Sequence, residues 1–277
     1  MNTLSKSVIG SIAIVVFLTT PVTAEGLPDI LGIQLGMPVR ESYAKLQAQI
    51  PKNKIQVMST ATTLPALNKP VITSLYSAPA EQIMMGMEAD QVTVDVTLPP
   101  NKQSVWRVRR EHFFANKGIP KTTLLASLRE KYGKETRATA QNEKATSDEK
   151  QIMNLLWLMD EQGRPAALPP VTGMVDPLNA CKGTAEGNSA MVVESPPPTT
   201  FSGSDYKWCL SSYTAVTVHF LENVSVPELY ERMIVNAVSL PMGSRAGEAT
   251  VKWKQEIAEG QHKQELEKAK QQEKPKL

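Results

Sequence analysis

The run from Gln91 to Leu98 constrains this chain more than any other stretch. Val92, Val94, Val96 and Leu98 alternate with Gln91, Thr93, Asp95 and Thr97, giving a strand with one apolar and one polar face. Pro99-Pro100-Asn101-Lys102-Gln103 supplies a turn, and Ser104 to Phe113 reads as the return strand. With Leu98 set opposite Ser104, Val96 meets Trp106 and Asp95 meets Arg107, an opposite-charge cross-strand pair. That register puts Trp106 and Val108 on one face, with Arg107 and Arg109 on the other. A hairpin over 91–113 is the nucleus around which the rest is read.

Helices flank it. Pro38 suits a first helical turn, and Val39, Tyr43, Leu46 and Ile50 recur at helical spacing up to Pro51. Gly118-Ile119-Pro120 opens a second helix carrying Leu124, Leu125 and Leu128, closed by Tyr132-Gly133. Residues 54–60 alternate as a strand, and Val71 to Tyr76 adds another. Glu135 to Lys150, charged and rich in threonine and alanine, reads as a loop. Ile152 to Met159 reads as a buried strand with its turn at Glu161-Gln162-Gly163. Thr214 to Leu221 is a strand with Val216, Val218 and Phe220 on one face, and Tyr230 to Leu240 returns beside it; a helix from Pro227 is the competing reading. From Gly243 the chain is helical, with a stripe of Ala246, Ala249, Trp253 and Ile257 that docks. Beyond Gly260 the stripe fails and the charges alternate in sign.

The N-terminus bears on compartment. Lys6, the apolar run Val8 to Leu18, and Val22-Thr23-Ala24 after Pro21 follow the order of a cleavable secretory signal, with the cut after Ala24. The apolar run is shorter than the roughly 20 residues that cross a bilayer, and no cysteine stands beside the cut for lipid attachment. Removing 24 of 277 residues leaves 253, with 29 basic against 28 acidic side chains, since Lys6 is the one charge removed. So even a balance argues against nucleic acid as a partner. Cys181 and Cys209 are expected to pair in an oxidising space and close a Gly- and Pro-rich loop, which is worth about 3.5 kcal/mol in the chain-entropy model.

These readings give an α+β protein of antiparallel sheets with two short packed helices and a long C-terminal helix. Its expected parts are a signal peptide (1–24), a first unit (25–134) holding the hairpin, a second unit (135–242) holding the 181–209 loop, and a charged helix (243–277). The helix starts echo one another. Gly36-Met37-Pro38-x4-Tyr43-Ala44-x-Leu46 matches Gly118-Ile119-Pro120-x4-Leu125-Ala126-x-Leu128. Either the same cap chemistry arose twice or a helix-plus-strands unit is duplicated.

Catalytic motifs are few. His112, His219 and His262 share no metal-ligand spacing. Ser147–Lys150 and Ser204–Lys207 fit Ser-x-x-Lys without the companion motifs that such enzymes need. Asp160 and Glu161, at a strand end, are the first carboxylates to consider for acid–base work. No cofactor or metal motif is found. The candidate binding surface is Trp106, Arg107, Arg109 and Arg110 together with Trp253.

Gly32-Ile33-Gln34-Leu35-Gly36-Met37 before an amphipathic helix resembles the Gly-Met helix start of the BamE/SmpA outer-membrane assembly lipoproteins and of β-lactamase inhibitory protein. The chain lacks their lipoprotein cysteine and their Leu-Gly-x-Pro helix exit, and as a whole it resembles proteobacterial exported proteins. The resemblance implies a periplasmic or secreted domain that binds another protein, here an envelope protein, and catalyses nothing. A hydrolase with dispersed carboxylates and a small-ligand carrier are the alternatives.

Overall fold

The alternating segments fold as antiparallel strands, and Gly36-Met37-Pro38 and Gly118-Ile119-Pro120 each open a helix. The computed structural model describes residues 26–59, 70–79, 87–141, 144, 146–166 and 212–270. Residues 1–24, expected to be a signal, and both cysteines lie outside the described residues. A small hairpin of β1 (Asp29–Ile30) and β2 (Ile33–Gln34) leads into α1 (Val39–Gln49). Pro38 caps α1 from an extended conformation, and Ile50 closes it before Pro51, which cannot continue a helix. Four strands follow: β3 (Asn53–Ser59), β4 (Ile72–Pro79), β5 (Ala89–Val96) and β6 (Val105–Phe113). The two-residue β7 (Ile119–Pro120) runs straight into α2 (Lys121–Tyr132). Gly133 ends α2 at a φ of 79°, a conformation glycine adopts without a Cβ penalty. Then come β8 (Arg137–Thr139), β9 (Asn154–Met159), β10 (Thr214–Asn223), β11 (Val226–Ser239) and α3 (Leu240–Lys270).

Apart from the β1–β2 hairpin, the described strands form one antiparallel sheet in the order β3-β4-β5-β6-β11-β10-β9-β8, with β7 paired to β11. Each half is a helix followed by a four-stranded meander, and the halves join where their fourth strands meet. The repeat extends to single residues. Ahead of α1, Gly36 N donates to Val105 O and Pro38 bridges Ser104. Ahead of α2, Ile119 pairs with Tyr230 and Pro120 with Leu229. Each helix start is thus tied to its own fourth strand, at positions 125 apart (230 against 105).

The same offset relates two β-bulges. Val96 pairs with Val105 and Asp95 with Arg107, which leaves Trp106 extra. Glu222 pairs with Tyr230 and Leu221 with Arg232, which leaves Glu231 extra. Arg110 pairs with Val235 across the β6–β11 junction, again 125 positions on (235 against 110). Every β6–β11 pair therefore maps onto another, and an approximate two-fold axis passes through Arg110 and Val235. The echo between helix starts belongs to a repeated helix-plus-meander unit. The second copy holds its extra length between β9 and β10, across 160–213, where the first needs only 80–88.

The sheet buries both faces unequally. On one, Leu75, Val94, Val108, Ala237, Val216 and Trp157 pack with Leu46 of α1 and with Leu124, Leu125 and Leu128 of α2. On the other, Trp106, Leu156, Leu158, Ala215 and Val238 pack with Leu240 at the start of α3. Helix α3 docks through Gly243, Ala246, Gly247 and Thr250; from Ala258 to Lys270 every residue is exposed. No described helix is long and apolar enough to cross a membrane.

Four expectations need correction. Asp95 does meet Arg107, but the bulge sets Val96 against Val105. It also sends Trp106 to the α3 face while Val108 enters the opposite core. Tyr43 is 37% exposed, since α1 buries Ser42 and Leu46 instead. The 135–150 stretch is not simply a loop: it contains β8, and Arg129 donates to Glu135 and Glu149 on either side of that strand. Helix α3 starts at Leu240, directly from β11, three residues before the expected Gly243.

Candidate interaction surface

The five residues expected to form a binding surface are dispersed. Trp106 is 1% exposed; Gly243 of α3 lies over its indole, so close that a Cβ there would stand 2.7 Å from the ring. Arg107 Nε is 2.8 Å from Asp95 Oδ2, with both side chains buried. Burial pushes the Asp95 carboxyl up, and Arg107 opposes that without reversing it. Arg109 is half-exposed on the same face, 3.9 Å from Glu111. Arg110 faces the other way and is held by Asp90 and by His112, whose Nδ1 stands 3.1 Å from it. Trp253 is partly buried against Val71 and Leu98. Strand alternation thus parts Arg110 from Arg107 and Arg109, and the structure assembles no single arginine patch.

The other candidates have structural partners. His112 Nδ1 lies 2.9 Å from Asp90 Oδ1, and the ring meets Phe114 edge-on. His219 Nδ1 is 2.8 Å from Asn154 Oδ1; His262 is exposed on α3. Partial burial raises the Asp160 carboxyl, but the Arg164 amide and guanidinium outweigh it and leave the group below its ordinary value. Glu161 is lowered by its two hydrogen bonds from Arg245. Both carboxylates therefore hold their charge tightly, the opposite of what a general acid needs. Lys150 of the Ser147–Lys150 motif uses its carbonyl to accept from the buried Lys121; Ser204–Lys207 lies outside the described residues. Among the described residues no group of three or more His, Cys, Asp or Glu could hold a metal. The cavity beneath α3, lined by Thr97, Leu98, Trp106 and the small residues of the helix, measures about 10 Å³, room for a single water.

The sheet edges are more informative. By the repeat, β3 and β8 are equivalent first strands, each ending the sheet, and the chain treats them oppositely. β8 has three residues, and returning chain covers its outer side: Thr146 N donates to Ala138 O and Ala140 N to Lys144 O. β3 has seven residues and, among the described residues, pairs with β4 alone. Lys54 and Gln56 to Ser59 are exposed, Val57 and Met58 by 49% and 47%. Asn53 Nδ2 donates to Asp90 O and anchors the strand's start to β5. Ile55, on the same face as Val57, packs partly on the core. A long edge with open N–H and C=O groups and apolar side chains is a template for strand pairing. Sequence reading found this strand but not its place, because alternation marks a strand and says nothing of which strand lies outermost.

Comparison with family models, curated proteins and solved structures gives no match.

Proposed function

We propose that this is a non-enzymatic binding protein of the periplasm or the secreted space, released by loss of residues 1–24, and that its partner, another envelope protein, adds a strand to β3. The observation that carries the reading is the contrast between the two edges. Among the described residues, one copy of the repeat covers its first strand with returning chain, and the other leaves the seven-residue β3 without a second strand, with Val57 and Met58 exposed. Strand addition draws affinity from main-chain hydrogen bonds and selectivity from alternate side chains, and β3 offers both. The test is capture from an envelope fraction by the wild-type chain, Val57→Lys and, as a control on another strand, Arg109→Glu. Loss of the captured proteins in Val57→Lys alone supports the reading. Equal capture by all three contradicts it.

A further inference from the structure

We infer that β3 also pairs with β3 of a second copy of this chain, antiparallel about Gln56, to make a symmetric dimer with one continuous sheet. The inference rests on the open-edge reading and names one strand that the edge accepts. A two-fold contact must be self-complementary, so each residue faces the one equidistant from the axis. Gln56 is the middle of the seven-residue strand, and only an axis there overlaps all of Asn53–Ser59. In that register Ile55 faces Val57 of the second copy, and Val57 faces its Ile55. Both pairs fall on the face that Ile55 already shares with the core, so they extend it across the junction. Lys54 faces Met58 on the polar side, so no like charges are opposed, and its long stem can carry the ammonium to water. Moving the axis to Val57 sets Ile55 against Ser59 and loses both Ile–Val pairs.

The chain already uses this geometry internally, since its two repeats join by antiparallel pairing about a two-fold axis at Arg110 and Val235. Tyr43 and Met87, the other exposed large apolar residues among those described outside the β10–β11 turn and α3, offer no comparable ordered array of backbone donors and acceptors.

The experiment is sedimentation velocity on the purified chain without residues 1–24, with Val57→Lys and Gln56→Cys beside it. The wild type is expected to dimerise as its concentration rises. Val57→Lys should weaken the dimer about tenfold or more. Gln56→Cys should give a covalent dimer on mild oxidation, since directly opposed residues bring their Cβ atoms close enough to link, while the wild type under the same oxidant should not. A wild type that stays monomeric overturns the self-pairing, as does a dimer that Val57→Lys leaves intact and that Gln56→Cys fails to crosslink. The edge reading is tested apart from this: if Val57→Lys abolishes capture from the envelope fraction while the wild type is monomeric, β3 binds a different protein and only the dimer is lost.

Discussion

Trp106 and Glu231 are the extra residues of equivalent bulges, one in β6 and one in β11, yet only Trp106 lies beneath a helix. The bulge is a backbone feature of the repeat, and the burial is a later use of one copy. Trp106→Ala should cost about 3–5 kcal/mol, as truncations of buried aromatics do. Glu231→Ala should stay within about 0.5 kcal/mol. Urea denaturation of both variants measures the difference; similar losses would mean that the two bulges do not differ as described.

Gly36 and Gly118 are likewise equivalent but unequally crowded. A Cβ on Gly118 would stand 2.4 Å from the carbonyl oxygen of Tyr230, whereas one on Gly36 meets nothing nearer than 3.7 Å. Both residues have positive φ, so alanine costs about 1–2 kcal/mol at either place. Gly118→Ala should lose several kcal/mol beyond that, because a carbonyl in a paired strand has no room to withdraw. Thermal denaturation ranks the two variants.

Asp90 gives the fold an acid-sensitive joint. Partial burial raises its carboxyl, but His112 and Arg110 outweigh that and hold it below its ordinary 3.8. A carboxyl depressed in the folded state stabilises above its unfolded value, and the contribution fades as pH falls through the folded one. Below pH 3.8 the wild type should therefore lose stability more steeply than Asp90→Asn. Near neutrality Asp90→Asn should be weaker by about 1–3 kcal/mol, since it breaks charge-assisted hydrogen bonds. Urea titrations across the acid range test both limbs.

Helix α3 spans about 46 Å at 1.5 Å per residue, but only its first half touches the sheet. Ending the chain after Ala258 should change stability by less than about 0.5 kcal/mol. Gly243→Leu, which drives a side chain into the Trp106 ring, should cost about 1–3 kcal/mol or more.

Much of this architecture was legible in the residues. Alternation marked β3, β5, β6 and β10, and the leucines at 124, 125 and 128 marked the face that α2 buries. Asp95 and Arg107 found each other because opposite charge at the right register is a local signal. Trp106 was misplaced because a one-residue bulge leaves no mark in an alternating pattern and reverses every side chain beyond it. β8 was missed because three residues in a charged stretch carry no period. The repeat was visible at its helix starts and nowhere else: across β6 and β11 only Arg107 and Arg232 coincide between Val105 to Phe113 and Tyr230 to Val238, so register alone discloses it. Strand order, a property of long-range pairing, placed the open edge, and no stretch of residues near β3 states it.

Hydrogen exchange at β3 is the most direct test of the binding claim. Amides of the purified chain are followed before and after an envelope fraction is added. Strand addition predicts new protection over 53–59 and none over 137–139, where the outer side is already covered. Unchanged exchange over 53–59, with protection gained only on other elements, would contradict it.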